Sequence, residues 1–562
     1  MLGLYDRTPK RAKVTLDGWW ELCIDREELC ETPADLDRLQ ARRAWVPGCW
    51  NTELDLQDYQ GVAWYRRLFE CDFPGQARLV LGAVADLAQV WLDDQYLGEH
   101  EGGFTAFEFV TSVQAGIHEL VVRVDNRHSE TTLPKEGVDW FPYGGITRSV
   151  ICEQVGAAFV RNVHVRGDLQ GQVEAQVYVQ NLDQAPVTLP LSLSIDGVLC
   201  VEETVTIAGG ECQVETLRAR IAGPRLWSPE QPNMYTATVR LAEDEHQARF
   251  GLREIRVRGV DILLNGEKIW IRGVNRHEDH PDWGFALPPK LMGRDIDIIR
   301  GLNCNAVRGS HYPNHPTFLD MCDEAGLLFF AEIPAWQYSA AQLATSPTYD
   351  KMAQTLREMV DQQHNHPCIF TWCLHNECRT DAEDEGDVDL TAATSKLFAL
   401  ARSLDDTRPV TFASDKYWRD RQLHQADVIC LNEYIGWYVD ELDGADFEAY
   451  LRRMAERHPD KPILITEFGA GGIPGYHSMP GLKWSEEYQA QHLKRSIETM
   501  LENDHVSGCF VWQYCDIMVH PSRALRRPRS LNNKGLVDEY RRPKLGYWIV
   551  KELYAKIAGR TD

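Results

Sequence analysis

The chain lacks an apolar segment long enough to cross a membrane, because no run of about 18 apolar residues occurs in its sequence. Residues 1–7 also lack the apolar core that a secretory signal peptide requires. We therefore expect no membrane partner, and we take the cytoplasm as the expected compartment.

Positive charge is scarce, since 59 Lys and Arg residues face 84 Asp and Glu residues and the formal net charge is −25. Nucleic acids and anionic membranes bind basic surfaces, so this balance argues against both as partners. The fifteen cysteines form no CxxC pair, and several lie within apolar segments. This usage favours buried thiols in a reducing compartment over a disulfide framework.

Two all-β domains are predicted for the first part of the chain. Residues 1–155 contain short strand-like runs separated by turn residues, which indicates an antiparallel sandwich. Residues 156–253 alternate apolar and polar side chains without a helix signal, which is typical of a small immunoglobulin-like sandwich. Five tryptophans of the first domain are expected in its core: Trp19, Trp20, Trp45, Trp50 and Trp64.

Residues 254–562 change character, because strand-like and helix-like segments now alternate. This order predicts a parallel sheet with helical crossovers. The candidate strands are 269–274, 306–310, 327–333, 369–374, 410–414, 428–432, 463–467 and 509–514. Helices are expected at 289–302, 350–363, 391–404 and 485–503. Eight strands in a segment of this length predict a (β/α)8 TIM barrel.

Two of these buried strands end in a carboxylate, Glu377 after Asn376 and Glu467 after Thr466. Barrel enzymes keep their chemistry at the carboxyl ends of the strands. Two carboxylates facing one pocket suffice for acid–base and nucleophilic cleavage of a glycosidic bond. One such glutamate alone would indicate a structural ion pair, but two in matching contexts favour catalysis.

Other strand ends are also polar or aromatic, and they are expected to share the same pocket. These residues are 275–280, His311, Glu332, Trp336, Asn376, Asn432, Glu433, Tyr434, Tyr438, Trp512 and Asp516. The His277-Glu278-Asp279-His280 segment is an alternative metal site, but its loop position and spacing favour pocket lining. We predict no metal and no cofactor.

Residues 520–535 form a basic segment with five Arg or Lys and no acid. Such a concentration is unusual in an acidic chain. A solvated loop that pairs with acidic surface would explain it, and so would an anionic substrate held by Lys534 and an arginine. The segment alone leaves both explanations open.

Together these residues resemble glycoside hydrolase family 2, and within it the β-glucuronidases, over essentially the whole chain. The motifs that carry the resemblance are at residues 59–67, 139–145, 226–229, 250–253, 273–278, 310–313, 376–377, 432–438, 466–469 and 532–535. The resemblance implies a jelly-roll sugar-binding-type domain, an immunoglobulin-like domain and a catalytic barrel.

The resemblance also implies roles for single residues. Glu377 is expected to be the acid/base and Glu467 the nucleophile. Asn532 and Lys534 match the Asn-x-Lys motif that holds a uronate carboxylate, and Asp139 matches an acid directed at the distal hydroxyls. The remaining expected substrate-binding residues are His311, Asn376, Tyr434, Tyr438, Trp512 and Arg529.

The chain departs from the family pattern around the sugar end of the pocket. The usual Arg four residues before Asn532 is Pro528, with Arg529 beside it, the usual Arg before Tyr434 is Glu433, and the usual Thr before Ser310 is Gly309. These changes leave a galacturonide as an alternative substrate. The stretch between Trp336 and Thr355 is short compared with many gut-bacterial relatives, which suggests an open entrance.

Our hypothesis is a retaining exo-β-uronidase that hydrolyses β-D-glucuronides, with β-D-galacturonides as the alternative. A β-galactosidase of the same family, a non-catalytic carbohydrate-binding protein and a metal-dependent hydrolase are the weaker alternatives. The expected partners are a small-molecule or oligosaccharide uronide and further copies of the chain, since the resemblance implies an oligomer, often a tetramer.

Overall fold

The computed structural model of the protein describes residues 3–379, 390–438 and 444–559. Two β-sandwiches are followed by a closed eight-stranded barrel. The predicted fold class is therefore confirmed. None of the described helices is long and apolar enough to cross a membrane.

The first sandwich packs a four-stranded sheet, in the order β1-β12-β5-β9, against a six-stranded sheet, in the order β3-β2-β4-β10-β7-β8. Its strands are β1 (Lys13–Thr15), β2 (Gly18–Asp25), β3 (Ala41–Val46), β4 (Val62–Cys71), β5 (Gly75–Leu81), β6 (Val84–Ala85), β7 (Leu87–Leu92), β8 (Gln95–Glu101), β9 (Phe107–Val113), β10 (Gly116–Asp125), β11 (Gly145–Ile146) and β12 (Val150–Val155). Both sheets bury alternate apolar side chains in a shared core.

Of the five tryptophans expected in this core, Trp20, Trp50 and Trp64 are buried. The expectation was wrong for Trp19 and Trp45, which are 47% and 53% exposed. They face each other across β2 and β3 on the outer side of the six-stranded sheet, with ring centroids 5.2 Å apart. The alternation of side chains along a strand tells which residues share a face of the sheet. It does not tell which of the two faces is buried.

The second sandwich contains the sheets β13-β14-β17 and β16-β15-β18-β19. Its strands are β13 (Ala158–Gly167), β14 (Gln172–Asn181), β15 (Val187–Ile195), β16 (Val198–Ile207), β17 (Cys212–Arg220), β18 (Tyr235–Leu241) and β19 (Asp244–Phe250). A small sheet of β20 (Ile255–Arg258), β21 (Asp261–Leu264) and β22 (Glu267–Lys268) then leads into the barrel.

The barrel strands are parallel and close in chain order. They are β23 (Ile271–Arg276), β24 (Ala306–Gly309), β25 (Leu328–Glu332), β26 (Ile369–Asn376), β27 (Val410–Ser414), β28 (Ile429–Asn432), β29 (Ile463–Phe468) and β30 (Val506–Val511). Nearly every residue in them is buried, as expected for strands covered on both faces. A short antiparallel pair, β31 (Ile517–Met518) and β32 (Leu531–Asn532), joins the chain before the basic segment to residues within it.

Helices surround the barrel and carry its outer apolar layer. They are α1 (Pro289–Gly301), α2 (Pro316–Ala325), α3 (Ala340–Leu343), α4 (Ser346–Gln363), α5 (Leu390–Leu404), α6 (Gly444–Arg457), α7 (Glu486–Leu501) and α8 (Leu545–Ala558). Within the described residues no cysteine forms a disulfide, and thirteen of the fifteen are buried.

The first domain reaches the mouth of the barrel. Arg148 donates to Glu278 over 3.2 Å and to the backbone oxygen of Pro313 over 2.9 Å. Tyr143 donates to Asp279 over 3.1 Å. These buried contacts hold the segment between β10 and β11, which includes Asp139, over the carboxyl ends of the barrel strands.

Candidate active site

Glu467 lies near the end of β29 and is 4% exposed. Arg308 donates to its Oε1 over 2.9 Å, and the Tyr434 hydroxyl donates to its Oε2 over 2.8 Å. His311 Nε2 lies 3.9 Å from the same Oε1. Glu467 therefore accepts from a cation on one oxygen and from a neutral hydroxyl on the other.

Arg308 is a buried cation in the middle of β24 that links several site residues. It donates to Glu332 over 2.7 Å, to Glu467 and to Asn376 Oδ1 over 2.8 Å. Although burial opposes ionisation of Glu332, Arg308 and His311 lower the pKa of this carboxyl to about 2. Two negative charges therefore hold the guanidinium in place, and it in turn orients Glu467 and Asn376.

Glu377 directly follows β26, is 9% exposed and has a positive φ of 53°. Its Oε1 accepts from Asn432 Nδ2 and its Oε2 accepts from Gln337 Nε2, each over 2.8 Å. Burial, with the neighbouring charges of Asp415 and Glu467, raises the pKa of Glu377 to about 8. Unlike Glu467, this carboxyl accepts hydrogen bonds only from neutral amides among the described residues, and its raised pKa favours the protonated form.

Shared neighbours bring the two glutamates to one pocket. Asn432, which donates to Glu377, is the register partner of Glu467 on the adjoining strands β28 and β29. Arg308, which donates to Glu467, also donates to Asn376, the residue before Glu377. The Oδ1 of Asn376 is occupied by Arg308 and Asn432, while its Nδ2 has no partner among the described residues.

An aromatic wall lines one side of this pocket. The His311 ring stacks on Trp512, with centroids 5.1 Å apart and an interplanar angle of 18°. The ring centroid of Trp140 lies 5.6 Å from that of His311 and 6.1 Å from that of Trp336. Faces of this kind pack against the apolar face of a sugar ring.

The basic segment contributes Lys534, which is 2% exposed. Its Nζ donates to the Tyr438 hydroxyl over 2.6 Å and lies 5.5 Å from the Tyr434 ring and 5.8 Å from the Trp437 ring. The structure assigns Lys534 no acidic partner among the described residues. Arg527 donates to the same Tyr438 hydroxyl over 3.3 Å, so two cations converge on one point.

Asp139 from the first domain lies beside these cations. Asn532 Nδ2 donates to it over 3.0 Å, and the guanidiniums of Arg523 and Arg527 lie 3.5 and 3.6 Å from its Oδ1. Arg529, which was expected here, instead forms an ion pair with Glu539. Arg527 is therefore the arginine of the segment that lies beside Lys534.

The departures from the family pattern have distinct surroundings. A Cβ at Gly309 would lie 2.4 Å from the Phe329 ring, so a threonine does not fit there without movement. Glu433 is buried, and burial raises its pKa to about 8. Its backbone N–H donates to the Glu467 carbonyl over 2.8 Å, so its main chain supports the nucleophile candidate while its Oε2 has no described partner.

The side chains of residues 277–280 bind protein groups in different directions. His277 contacts the Tyr312 hydroxyl at 3.2 Å, and Glu278 and Asp279 accept from Arg148 and Tyr143. Among the described residues, the group with metal-binding side chains close together is Asp323, His366 and Cys368. It contacts the start of β26, away from Glu377.

The residues of this site that were not identified from the sequence include Trp140, Arg308, Gln337 and Arg527. A charged residue inside a four-residue buried strand was a usable signal for Arg308. Asp516, which was expected to line the pocket, pairs with Lys544 at 2.9 Å and accepts from the backbone N–H of Gly535 over 2.8 Å.

Comparison with known proteins gives matches along the whole chain. The family model for the sugar binding domain of glycosyl hydrolases family 2 matches residues 14–155, a second model described as glycosyl hydrolases family 2 matches residues 158–253, and its TIM barrel domain model matches residues 255–559. The β-glucuronidases of Rattus norvegicus and Homo sapiens are each 28% identical, over 99% of this chain and 92% of theirs.

Solved structures agree with these matches. A β-galacturonidase from Eisenbergiella tayi bound to galacturonate is 34% identical, with a TM-score of 0.93 and coverage of 99% of both chains. A β-glucuronidase from Faecalibacterium prausnitzii is 29% identical, with a TM-score of 0.85 and the same coverage.

Proposed function

Since the chain belongs to glycoside hydrolase family 2, we propose that it is a retaining exo-β-uronidase with β-D-glucuronides as its substrate class. Catalysis resides in residues 254–562, residues 1–155 contribute Asp139 to the pocket, and residues 156–253 join the two. The observation that carries the proposal is the contrast between the two carboxyls. Glu467 accepts from an arginine and a tyrosine hydroxyl, whereas Glu377 accepts from two amides and has a pKa that burial raises to about 8.

Glu467 is the nucleophile and Glu377 the acid/base. In the first half-reaction a Glu467 oxygen bonds to the anomeric carbon, the glycosidic bond breaks, and Glu377 transfers its proton to the leaving oxygen. In the second, Glu377 takes a proton from water, the water oxygen bonds to the anomeric carbon, and the ester to Glu467 breaks. Glu377 must therefore start protonated, in accord with its raised pKa of about 8.

The substrate class rests on Lys534 and Arg527. A buried ammonium without a described acidic partner lacks a counter-ion that a uronate carboxylate would supply.

The other pocket residues bind the rest of the sugar. Asn532 binds the carboxylate beside Lys534 and Arg527, and Asp139 holds the sugar's distal hydroxyls. The unpartnered Nδ2 of Asn376 donates to the sugar 2-hydroxyl, and His311 and Trp512 pack against the ring. Tyr434 stabilises Glu467 and Tyr438 lines the carboxylate position.

A galacturonide preference is the second candidate. It is favoured by the 34% identity to the E. tayi β-galacturonidase, against 29% to the F. prausnitzii β-glucuronidase at equal coverage. Both assignments use the same chemistry and differ at one ring carbon, C4.

Side-by-side assays of 4-nitrophenyl β-D-glucuronide, β-D-galacturonide and the neutral β-D-galactoside test the proposal. We expect turnover of at least one uronide that the Glu467→Gln variant abolishes. Turnover of only the neutral galactoside would support a β-galactosidase instead, and binding without turnover would support a carbohydrate-binding protein.

We also propose that the protein acts as a homo-oligomer, with a tetramer as the expected form, in the cytoplasm. Support for an interface comes from exposed apolar residues on the outer face of the first domain, Trp19, Trp45, Leu68 and Ile117. The many buried thiols support a reducing compartment. Light scattering on the purified protein measures the oligomeric state.

A further inference from the structure

The orientation of the Asn432 amide is fixed by its neighbours. Its Oδ1 accepts from the Thr466 hydroxyl over 2.8 Å, and its Nδ2 donates to Asn376 Oδ1 over 2.9 Å. Asn376 Oδ1 also accepts from Arg308, so it cannot turn its own N–H groups toward Asn432 without losing a bond to a buried cation. The Asn432 N–H that faces Glu377 Oε1 is therefore present in either protonation state.

This arrangement makes the two oxygens of Glu377 different. A proton on Oε1 would point at an N–H group that has no acceptor to offer. Only Oε2 faces a group that can change its role, the side-chain amide of Gln337. An amide presents a donor on one side and an acceptor on the other.

Gln337 has a fixed main chain and a side chain with few restraints. Its backbone N–H donates to the Asn376 carbonyl over 2.9 Å, and the Asn376 N–H donates to the Ala335 carbonyl over 2.9 Å. The segment thus extends from β25 alongside the end of β26. The half-buried Gln337 amide has no other hydrogen bond among the described residues, so a half-turn of the amide breaks only the bond to Glu377.

We propose that the transferable proton of Glu377 resides on Oε2 and that Gln337 is a positioning residue whose amide turns with it. The Nε2–H donates to the ionised carboxylate, and the amide oxygen accepts from the protonated one. This inference rests on the acid/base role proposed above for Glu377.

The same oxygen, Oε2 of Glu377, then loses the proton in the first half-reaction and regains it in the second. In glycosylation the Oε2–H bond breaks and the proton joins the leaving oxygen, which keeps the electron pair of the broken bond to the anomeric carbon. In deglycosylation an O–H bond of water breaks and the proton returns to Oε2. Gln337 donates between the two events and accepts before and after them, and the 2.8 Å contact from its Nε2 to Oε2 is the donating orientation.

The test is the titration of Glu377 in the Gln337→Met variant of the full chain. Glutamate labelled with 13C at the carboxyl reports each titration by NMR, and the signal missing in Glu377→Gln identifies Glu377. A hydrogen bond to a charged carboxylate is stronger than one from its neutral form, so losing the amide raises the titration midpoint, by about 0.5–1 pH unit. The alkaline limb of kcat/KM moves upward with it.

Gln354→Met is the matched control, since Gln354 donates to the carboxylate of Glu358 over 2.9 Å on helix α4, away from the site. It leaves the Glu377 midpoint unchanged. Gln337→Leu repeats the measurement if the methionine variant does not fold.

An unchanged midpoint in the folded Gln337 variants, or one that moves down, overturns the inference even when the wild type hydrolyses uronides normally. A wild type inactive on every uronide contradicts the proposed function, while the NMR titration still decides whether Gln337 stabilises the ionised Glu377.

Discussion

Replacing Lys534 by methionine removes the buried ammonium and keeps most of the side-chain volume. Among the described residues, nothing acidic contacts this ammonium, and its one hydrogen bond there is to the Tyr438 hydroxyl at 2.6 Å. In the complex it meets the substrate carboxylate, and removing one partner of a buried charge pair costs about 3–5 kcal/mol. Because Arg527 remains 3.3 Å from the same hydroxyl, we expect the lower figure, roughly a 10²-fold loss in kcat/KM.

The assay compares kcat/KM for a 4-nitrophenyl β-uronide with that for the matching neutral glycoside. We expect kcat/KM for the uronide to fall to about that for the neutral glycoside. The value for the neutral glycoside should change by less than about 3-fold, because a neutral sugar has no carboxylate for the ammonium to bind. Lys483→Met is the matched control, because Lys483 also lies beside Trp437 but donates to its backbone carbonyl over 2.6 Å. Equal losses on the charged and neutral substrates would refute the role of Lys534.

Three further predictions concern the same pocket. Since the proton donor is the neutral form of Glu377, with a pKa of about 8, kcat/KM should be retained below that pH and fall as the pH rises through it; a limb that survives in Glu377→Gln would contradict the assignment. Tyr434→Phe removes the hydroxyl donor to Glu467 and should lower kcat by roughly 10- to 100-fold, measured by steady-state kinetics, whereas an unchanged kcat would exclude this role. Arg527→Met should raise KM for uronides by roughly 10-fold and Arg529→Met by much less, so the reverse order would show that Arg529 binds the substrate.

The architecture followed from periodicity and order. All eight expected barrel strands are present, and the fifth has the predicted bounds, Val410–Ser414. The eighth runs Val506–Val511, three residues earlier at both ends than predicted. Its end was placed too late because Trp512 and Tyr514 continue the apolar pattern but lie beyond the strand. Burial without sheet pairing looks the same in sequence as a strand.

The site was predicted less completely, since contacts between distant segments leave no local pattern. Gln337 follows an apolar loop, and nothing in the local sequence marks it as a site residue. Only its contact with Glu377 in the folded chain does so. In the basic segment five cations look alike, and the positive φ of Arg529 at 63° helps to turn this residue toward Glu539 rather than the pocket. The two glutamates were found because strand ends combine a local pattern with a known position in a barrel.

The central claim is a covalent glycosyl–enzyme ester on Glu467, and trapping that ester tests it most directly. A 2-deoxy-2-fluoro-β-uronosyl fluoride carries a good leaving group and a slow second step, so the intermediate should accumulate. Mass spectrometry of the digested protein should then show one added fluorouronosyl group on the peptide that contains Glu467. An adduct on another residue, or a product released with inverted anomeric configuration and no adduct, would contradict the account.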